Sequence, residues 1–344
     1  MPGALHAHTP LKAQRPDRLS IADEPPPLSS PPEMMSEVYV KDSPCLLLIA
    51  SSKQERTPAF ERAVALARTS GARLLIAALD HVKLLEIMGL FNPEALAKLR
   101  DAHLQVHQHW LESQVQEERS KGLDVDLQRW GTGDVFEDIQ HCVRSVRPVM
   151  LIKDVHHEAS LQRLFSTPLD WELLRHCACP VQLVIRSTHP LPVKMLAAVN
   201  LYRSNDADLR LNHQILNVAT QLALQCHAVL HVLYVYDWAA IYASGMTMMG
   251  AMPVEPGFQE ALSDAHEESF ASLCAQHGIM ERRRHFMTGT PQPTIEAFAR
   301  LNDFDLLVMG TMPRHGLEQV MGNTAEVVLT HAPCSVLVVR AGSL

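Results

Sequence analysis

The sequence predicts an α/β protein built from two tandem domains, each a doubly wound five-stranded parallel sheet. Three observations carry this. Apolar runs of about five residues alternate with segments of helical period, the signature of buried parallel strands between helices. The alternation restarts after THPLPV (188–193). The two halves also close on matching segments, RHCACPVQLVIR and THAPCSVLVVR, so that His176 and His331 stand 155 residues apart (331 − 176).

Residues 1–40 are rich in Pro and Ser, include PPPLSSPPE and show no apolar period, which predicts a disordered tail. Domain 1 is expected over 41–188. Its first strand is CLLLIA (45–50). PAFERAVALARTSG follows, with Phe60, Val64, Leu66 and Ala67 forming a helical stripe that Gly71 ends. RLLIAAL (73–79) is the second strand, and a long helix is expected from Pro93 to Ser120. LDVDLQRW (123–130) is the third strand, and DVFEDIQHCVRSV is an amphipathic helix capped by Asp134. VMLIK (149–153) is the fourth strand, DWELLRHC a short helix, and PVQLVIR (180–186) the fifth strand.

Domain 2 is expected over 189–344. MLAAVNL (195–201) opens it, followed by the helix ADLRLNHQILNVATQLALQCH and the strand AVLHVLYVYD (228–237). A Gly/Met/Pro-rich insert occupies 243–257 and supplies adaptable apolar surface. FQEALSDAHEESFASLCAQHG is the long helix again, ERRRHFM the third strand, PTIEAFARL a helix, DLLVM the fourth strand and SVLVVR the last. Two copies of one fold are expected to pack as a pseudo-two-fold pair, imitating a homodimer within one chain.

Composition narrows the function. The chain has 344 residues, 47% hydrophobic and 20% charged, with a net charge of −8. No basic field exists to drive nucleic-acid binding. No apolar run reaches the length of about 18 residues that spans a membrane. The N-terminus lacks the layout of a signal peptide, so the expected location is cytoplasmic. The seven cysteines are scattered, odd in number and without a CxxC, and are read as reduced core thiols; Cys177 and Cys179 form a CxC before a strand.

Ligands of open parallel sheets bind beyond the carboxyl ends of the strands, where the strand order reverses. In the order 3-2-1-4-5 that point lies between strands 1 and 4. In the second half it is flanked by Asn200 and by GTMPRHGLEQVMGNTAE (310–326). Gly310 permits close backbone approach, Gly316 and Gly322 permit left-handed turns, and Asn323 and Thr324 begin the next helix, whose dipole favours an anion. In the first half the corresponding stretch, KDVHHEASLQRLFSTPLDWELL (153–174), contains no glycine. Lys153 is aligned there with Gly310, and Ala50 or Ser51 with Asn200.

The second half resembles a universal stress protein domain. Such domains carry a glycine, two residues, a glycine, nine residues, and a glycine before Ser or Thr, followed by VAE-like and HAPCPVLVV-like segments. Here MGT, RHGL, GNTAEVVLTHAPCSVLVVR and MLAAVN match. The whole of about 42–342 is similar to the tandem type of this family. The resemblance implies a cytoplasmic stress-response binding or regulatory protein that takes ATP or another adenine nucleotide. It implies adenosine contacts at Asn200, Val235 and Met309, and phosphate contacts at Gly310, Gly322, Asn323 and Thr324. It implies partnership between the two domains, with a homodimer or other stress proteins as further partners. Four departures weaken the match. Asn200 replaces the family's Asp, Pro313 replaces its second glycine, the loop is one residue short, and Asn323 holds the Ser/Thr position, with Thr324 following at once.

Other groupings were weighed against plain structural roles. His103 and His107 share a helix face and could hold zinc only with a third ligand. His156–His157 lies near the mouth of the first site, and Arg282, Arg283 and Arg284 read as solvated charge. No nucleophile elbow, complete P-loop or HExxH motif is present, so no catalytic residue and no metal ligand is assigned. A weak ATPase or nucleotidyl-transfer enzyme, and a carrier of a small apolar ligand or metal, stand as alternative classes.

Overall fold

A computed structural model describes residues 43–79, 93–130, 134–155, 168–185, 188–202, 206–249, 257–311 and 332–342. The tail over 1–40, His156–His157, the end of the 243–257 insert and the loop from 312 to 331 lie outside the described residues.

The first half runs β1 (Cys45–Ile49), α1 (Pro58–Ser70), β2 (Arg73–Leu79), α2 (Pro93–Ser120), β3 (Val125–Trp130), α3 (Val135–Val146), β4 (Met150–Asp154), α4 (Pro168–His176) and β5 (Val181–Val184). The second runs β6 (Lys194–Val199), α5 (Asp206–Cys226), β7 (Val229–Tyr236), α6 (Trp238–Met249), α7 (Phe258–Gln276), a 3-10 turn (Glu281–Arg283), β8 (Arg284–Thr288), α8 (Pro291–Leu301), β9 (Leu306–Thr311) and β10 (Ser335–Arg340). The start of the Met-rich insert is therefore helical, since Ala and Met favour a helix and one internal glycine, Gly245, costs only about 1 kcal/mol.

Local chemistry sets these ends. Thr57 accepts a hydrogen bond from the Phe60 N–H at the start of α1, and Gly71 ends that helix at φ +70°. Asp134 accepts from the N–H groups of Phe136 and Glu137 at the start of α3. Strands β1 and β4 are buried on both faces, as their unbroken apolar runs demand.

Each half has the strand order 3-2-1-4-5, β3-β2-β1-β4-β5 and β8-β7-β6-β9-β10. The halves do not stack as separate sheets. β5 and β10 pair antiparallel and fuse them into one ten-stranded sheet. The register is Val336 with Leu183, Leu337 with Gln182, and Val338 with Val181. Gln182 and Leu337 are repeat equivalents (337 − 182 = 155, the spacing of the two histidines), so the pseudo-two-fold axis passes through that pair.

Two apolar layers run across the seam. One lies under α1, α2, α5 and α7 and links Leu48, Ile152 and Val184 to Leu337, Val308 and Val232. The other lies under α3, α4 and α8 and links Leu47, Leu151 and Leu183 to Val336, Leu307 and Leu233. Arg62, buried on α1, donates from its Nε to the Pro190 carbonyl and holds the inter-domain linker against the body.

The axis pair carries a mismatch. Gln182 is fully buried, and among the described residues neither end of its amide has a hydrogen-bond partner. Gln182→Leu restores the repeat's own residue in similar volume and should stabilise the protein by about 1–3 kcal/mol. Denaturant unfolding checks this, and a destabilised variant would show that the amide is satisfied.

Candidate functional site

The strands part at the switch point of the second half. β6 and β9 pair at Met195–Leu306, Leu196–Leu307 and Ala197–Val308, and no further. Ala198 and Val199 continue on β7, opposite Leu233 and Tyr234. Met309 and Gly310 continue on β10, opposite Val338 and Val339. A crevice thus opens between the carboxyl ends of β6 and β9. In the first half the β1–β4 ladder runs one pair further, to Ile49–Lys153, where β1 ends.

Four of the predicted site residues meet at this crevice. Asn200 follows β6 directly and is exposed. Val235 and Met309 are buried in the same apolar layer as Ala198 and form one wall. Gly310 sits half-buried near the end of β9. Gly316, Gly322, Asn323 and Thr324, with Pro313, lie outside the described residues.

Asn200 is pinned by a residue that the sequence reading missed. The buried Asn212 side chain on α5 accepts from the Asn200 N–H at 3.0 Å and donates to the Asn200 carbonyl at 2.8 Å. The Asn200 Oδ1 accepts from the Tyr202 N–H at 3.0 Å, closing a local turn. The Tyr202 hydroxyl donates to the Ala240 carbonyl of α6. The available signal was a polar residue at an apolar position of a helix, between Leu211 and Ile215.

Gly310 has a packing reason to be glycine. A Cβ there would lie 2.7 Å from Ile215 Cδ1 and 2.9 Å from Leu211 Cγ, both on α5. Gly71 and His227 both close their helices at positive φ (227 − 71 = 156), so Gln214 corresponds to Pro58 at the start of α1 (214 − 58 = 156). The segment Asp206–His213 therefore extends α5 beyond α1 and carries Leu211 onto the site. The helix takes up the space that glycine leaves.

The register corrects one alignment of the first half and decides another. Leu46 and Met195 occupy the same rung, as do Met150 and Leu306. Of Ala50 and Ser51, Ser51 therefore stands where Asn200 stands, and Asp154, not Lys153, stands where Gly310 stands. Lys153 occupies the place of Met309. The earlier alignment slipped by one residue because apolar runs of similar length match equally well in either frame. Ser51 repeats the turn of Asn200, its Oγ accepting from the Lys53 N–H at 3.3 Å. The Ser51 carbonyl is held by Nε2 of the buried His107 at 2.8 Å. His107 thus supports the strand end through Nε2; among the described residues no group of three or more His, Cys, Asp or Glu that could hold a metal ion occurs.

Charge fills the rest of the first site. The Lys153 Nζ donates to Asp170 Oδ1 on α4 at 2.7 Å and to the Asp154 carbonyl at 2.9 Å. Both partners of the ion pair are almost completely buried. Asp154 Oδ1 accepts from the Ala59 N–H in the first turn of α1 at 2.9 Å. By the spacing of the closing segments, Asp170 corresponds to Ala325 (325 − 170 = 155). At the equivalent sequence positions the second half has the uncharged Met309 and Ala325.

A doubly wound sheet split at one switch point defines an α/β ligand-binding fold, and the comparisons with known proteins are specific about which. The chain belongs to the universal stress protein family, whose sequence pattern matches residues 44–185 and again 196–340. It is 26% identical over 298 residues to Universal stress protein E of Escherichia coli K12, covering 86% of this chain and 93% of that one. It is 25% identical to the Universal stress protein E homolog of Haemophilus influenzae, covering 86% and 96%. Two solved structures share the fold. One is a protein of unknown function from Pseudomonas aeruginosa PAO1, with TM-score 0.68 at 23% identity, covering 88% of this chain and 94% of that one. The other is a universal stress protein from Archaeoglobus fulgidus, with TM-score 0.58 at 16% identity, covering 88% and 100%.

Breaking the Lys153–Asp170 pair from one side leaves a buried charge. Asp170→Ala should cost about 3–5 kcal/mol, and the double variant Lys153→Met with Asp170→Leu should recover most of it. Unfolding free energies around this cycle check it. Additive losses would show that the two charges do not act as a pair.

Proposed function

We propose that this protein is a cytoplasmic stress-response regulator that binds an adenine nucleotide weakly in its second half, while its first half serves as scaffold. The observation that carries this reading is the contrast between the switch points. β6 and β9 part before their carboxyl ends, beside an exposed Asn200 and uncharged walls at Val235 and Met309. The first site is zipped one pair further and carries a buried ion pair.

The adenosine would lie against Asn200, Val235 and Met309. Its phosphates would reach the segment with Gly316, Gly322, Asn323 and Thr324. Asn200 offers a neutral amide where a carboxylate would bind ribose hydroxyls more strongly. Pro313 removes one backbone donor. Both changes point to weak affinity, suited to sensing a nucleotide present at high concentration.

Calorimetry with ATP and magnesium tests the proposal. The wild type should bind one nucleotide per chain. Pro313→Gly should bind up to about tenfold more tightly, because a hydrogen bond to a charged group is worth about 1.5–3 kcal/mol and added loop freedom offsets part of the gain. Gly322→Val should not bind, since a β-branched side chain crowds the turn. No heat with millimolar ATP for either the wild type or Pro313→Gly would overturn the reading.

A further inference from the structure

Cys177 and Cys179 flank the exposed Ala178 in the bend that leads from α4 into β5. Their sulfur atoms lie 3.6 Å apart, and both side chains are buried. The Cys177 N–H donates to the Leu173 carbonyl at 2.9 Å, which anchors that residue on the end of α4. Arg340 on β10 reaches across the seam and donates to the His176 carbonyl at 3.1 Å, placing a guanidinium beside the thiols.

Packing alone does not call for sulfur at Cys177. The equivalent residue in the second half is Ala332 (332 − 177 = 155), which is fully buried and fills the same place. The second half keeps only the other cysteine, Cys334, equivalent to Cys179 (334 − 179 = 155). The molecule thus carries its own control: one fold position with two sulfurs and one with a single sulfur.

We propose that Cys177 and Cys179 form a modification site, a dithiol that a small hydroperoxide converts to an intramolecular disulfide. Cys177 acts as the attacking thiolate. Its sulfur takes the distal oxygen of the peroxide and becomes a sulfenic acid. The O–O bond breaks, and the departing oxygen takes up the thiol proton and leaves as water or an alcohol. The Cys179 sulfur then displaces hydroxide from the sulfenic sulfur, forming the S–S bond, and its own proton completes a second molecule of water. Two thiols are oxidised and one peroxide is reduced. The sulfurs need to close from 3.6 Å to the disulfide length of about 2.05 Å.

The thiol environments agree with this choice. The hydrogen bond from Cys179 pulls the Cys177 thiol below its ordinary range against the effect of burial, and the Arg340 charge helps. Burial pushes the Cys142 and Cys334 thiols up to about 12 and those of Cys226 and Cys274 up to about 11. Those cores hold little thiolate to attack a peroxide.

The test treats the full-length protein with one equivalent of hydrogen peroxide, blocks remaining thiols with N-ethylmaleimide under denaturing conditions, and measures intact and tryptic masses. The tryptic peptide His176–Arg186 contains both cysteines. The expected product is two hydrogens lighter and blocked at five thiols (7 − 2), with that peptide protected until it is reduced. Cys179→Ser should stop at a sulfenic acid that dimedone traps on Cys177. Cys177→Ala, which installs the second half's residue, should leave Cys179 as unreactive as Cys334. Equal blocking of all seven thiols after peroxide, a disulfide joining other cysteines, or over-oxidation of Cys177 without an S–S bond would each overturn the proposal.

Discussion

The antiparallel pairing of β5 with β10 is the constraint on which the rest of the molecule depends. Each half is a five-stranded sheet with two edge strands; β3 and β8 stay at the outer ends, and β5 and β10 are the edges that meet. Joining these edges satisfies both rows of backbone groups and makes the apolar layers continuous from one half to the other. The axis through Gln182 and Leu337 then fixes where everything else falls. β4 and β9 lie one strand in from the seam, and β1 and β6 one strand further, so the two switch points face outward symmetrically about the axis.

Within this symmetric frame the two switch points have opposite chemistry. In the first half, Lys153 and Asp170 neutralise each other inside the fold, and the Asp154 carboxylate binds the start of α1. These groups do internally what an ionic ligand's partners would do, and the ladder closes over them. In the second half, the two extra turns of α5 bring Leu211 toward Gly310, beside Ile215 of the shared part of the helix, and bring Asn212 against the backbone of Asn200. The strand end is held rigidly while its polar face stays exposed. The two strand ends differ by a few exchanged side chains and by the longer start of α5 in the second half.

Much of this was legible in the linear sequence. Apolar runs bounded by turn residues located the strands, and the repeated closing segments located the second copy. The positions of Asn200, Val235, Met309 and Gly310 followed from the resemblance and from the switch-point rule, and the structure brings them together. What escaped depended on register or on distant partners. A one-residue slip moved Lys153 onto Gly310, and the choice between Ala50 and Ser51 opposite Asn200 stayed open, because no residue in a uniform apolar run marks the rung. The role of His107 depends on the Ser51 carbonyl, distant in the sequence, and the ring-to-ring hydrogen bonds His213–His277 and His231–His285 likewise join residues far apart in the chain. The reading of Gly310 as a place for close ligand approach overlooked α5, which lies within van der Waals range of the missing Cβ. Of the basic triplet, Arg284 is engaged internally, donating twice to the Ile279 carbonyl.

The central claim is that the two halves share a fold and differ in function at the strand ends. Hydrogen–deuterium exchange of the intact chain, with and without saturating ATP and magnesium, tests it most directly. The account predicts added protection at the carboxyl ends of β6 and β9, around 198–202 and 309–311, and none around 49–53 or 153–155. Protection at the first-half strand ends, or equal protection at both, would contradict it.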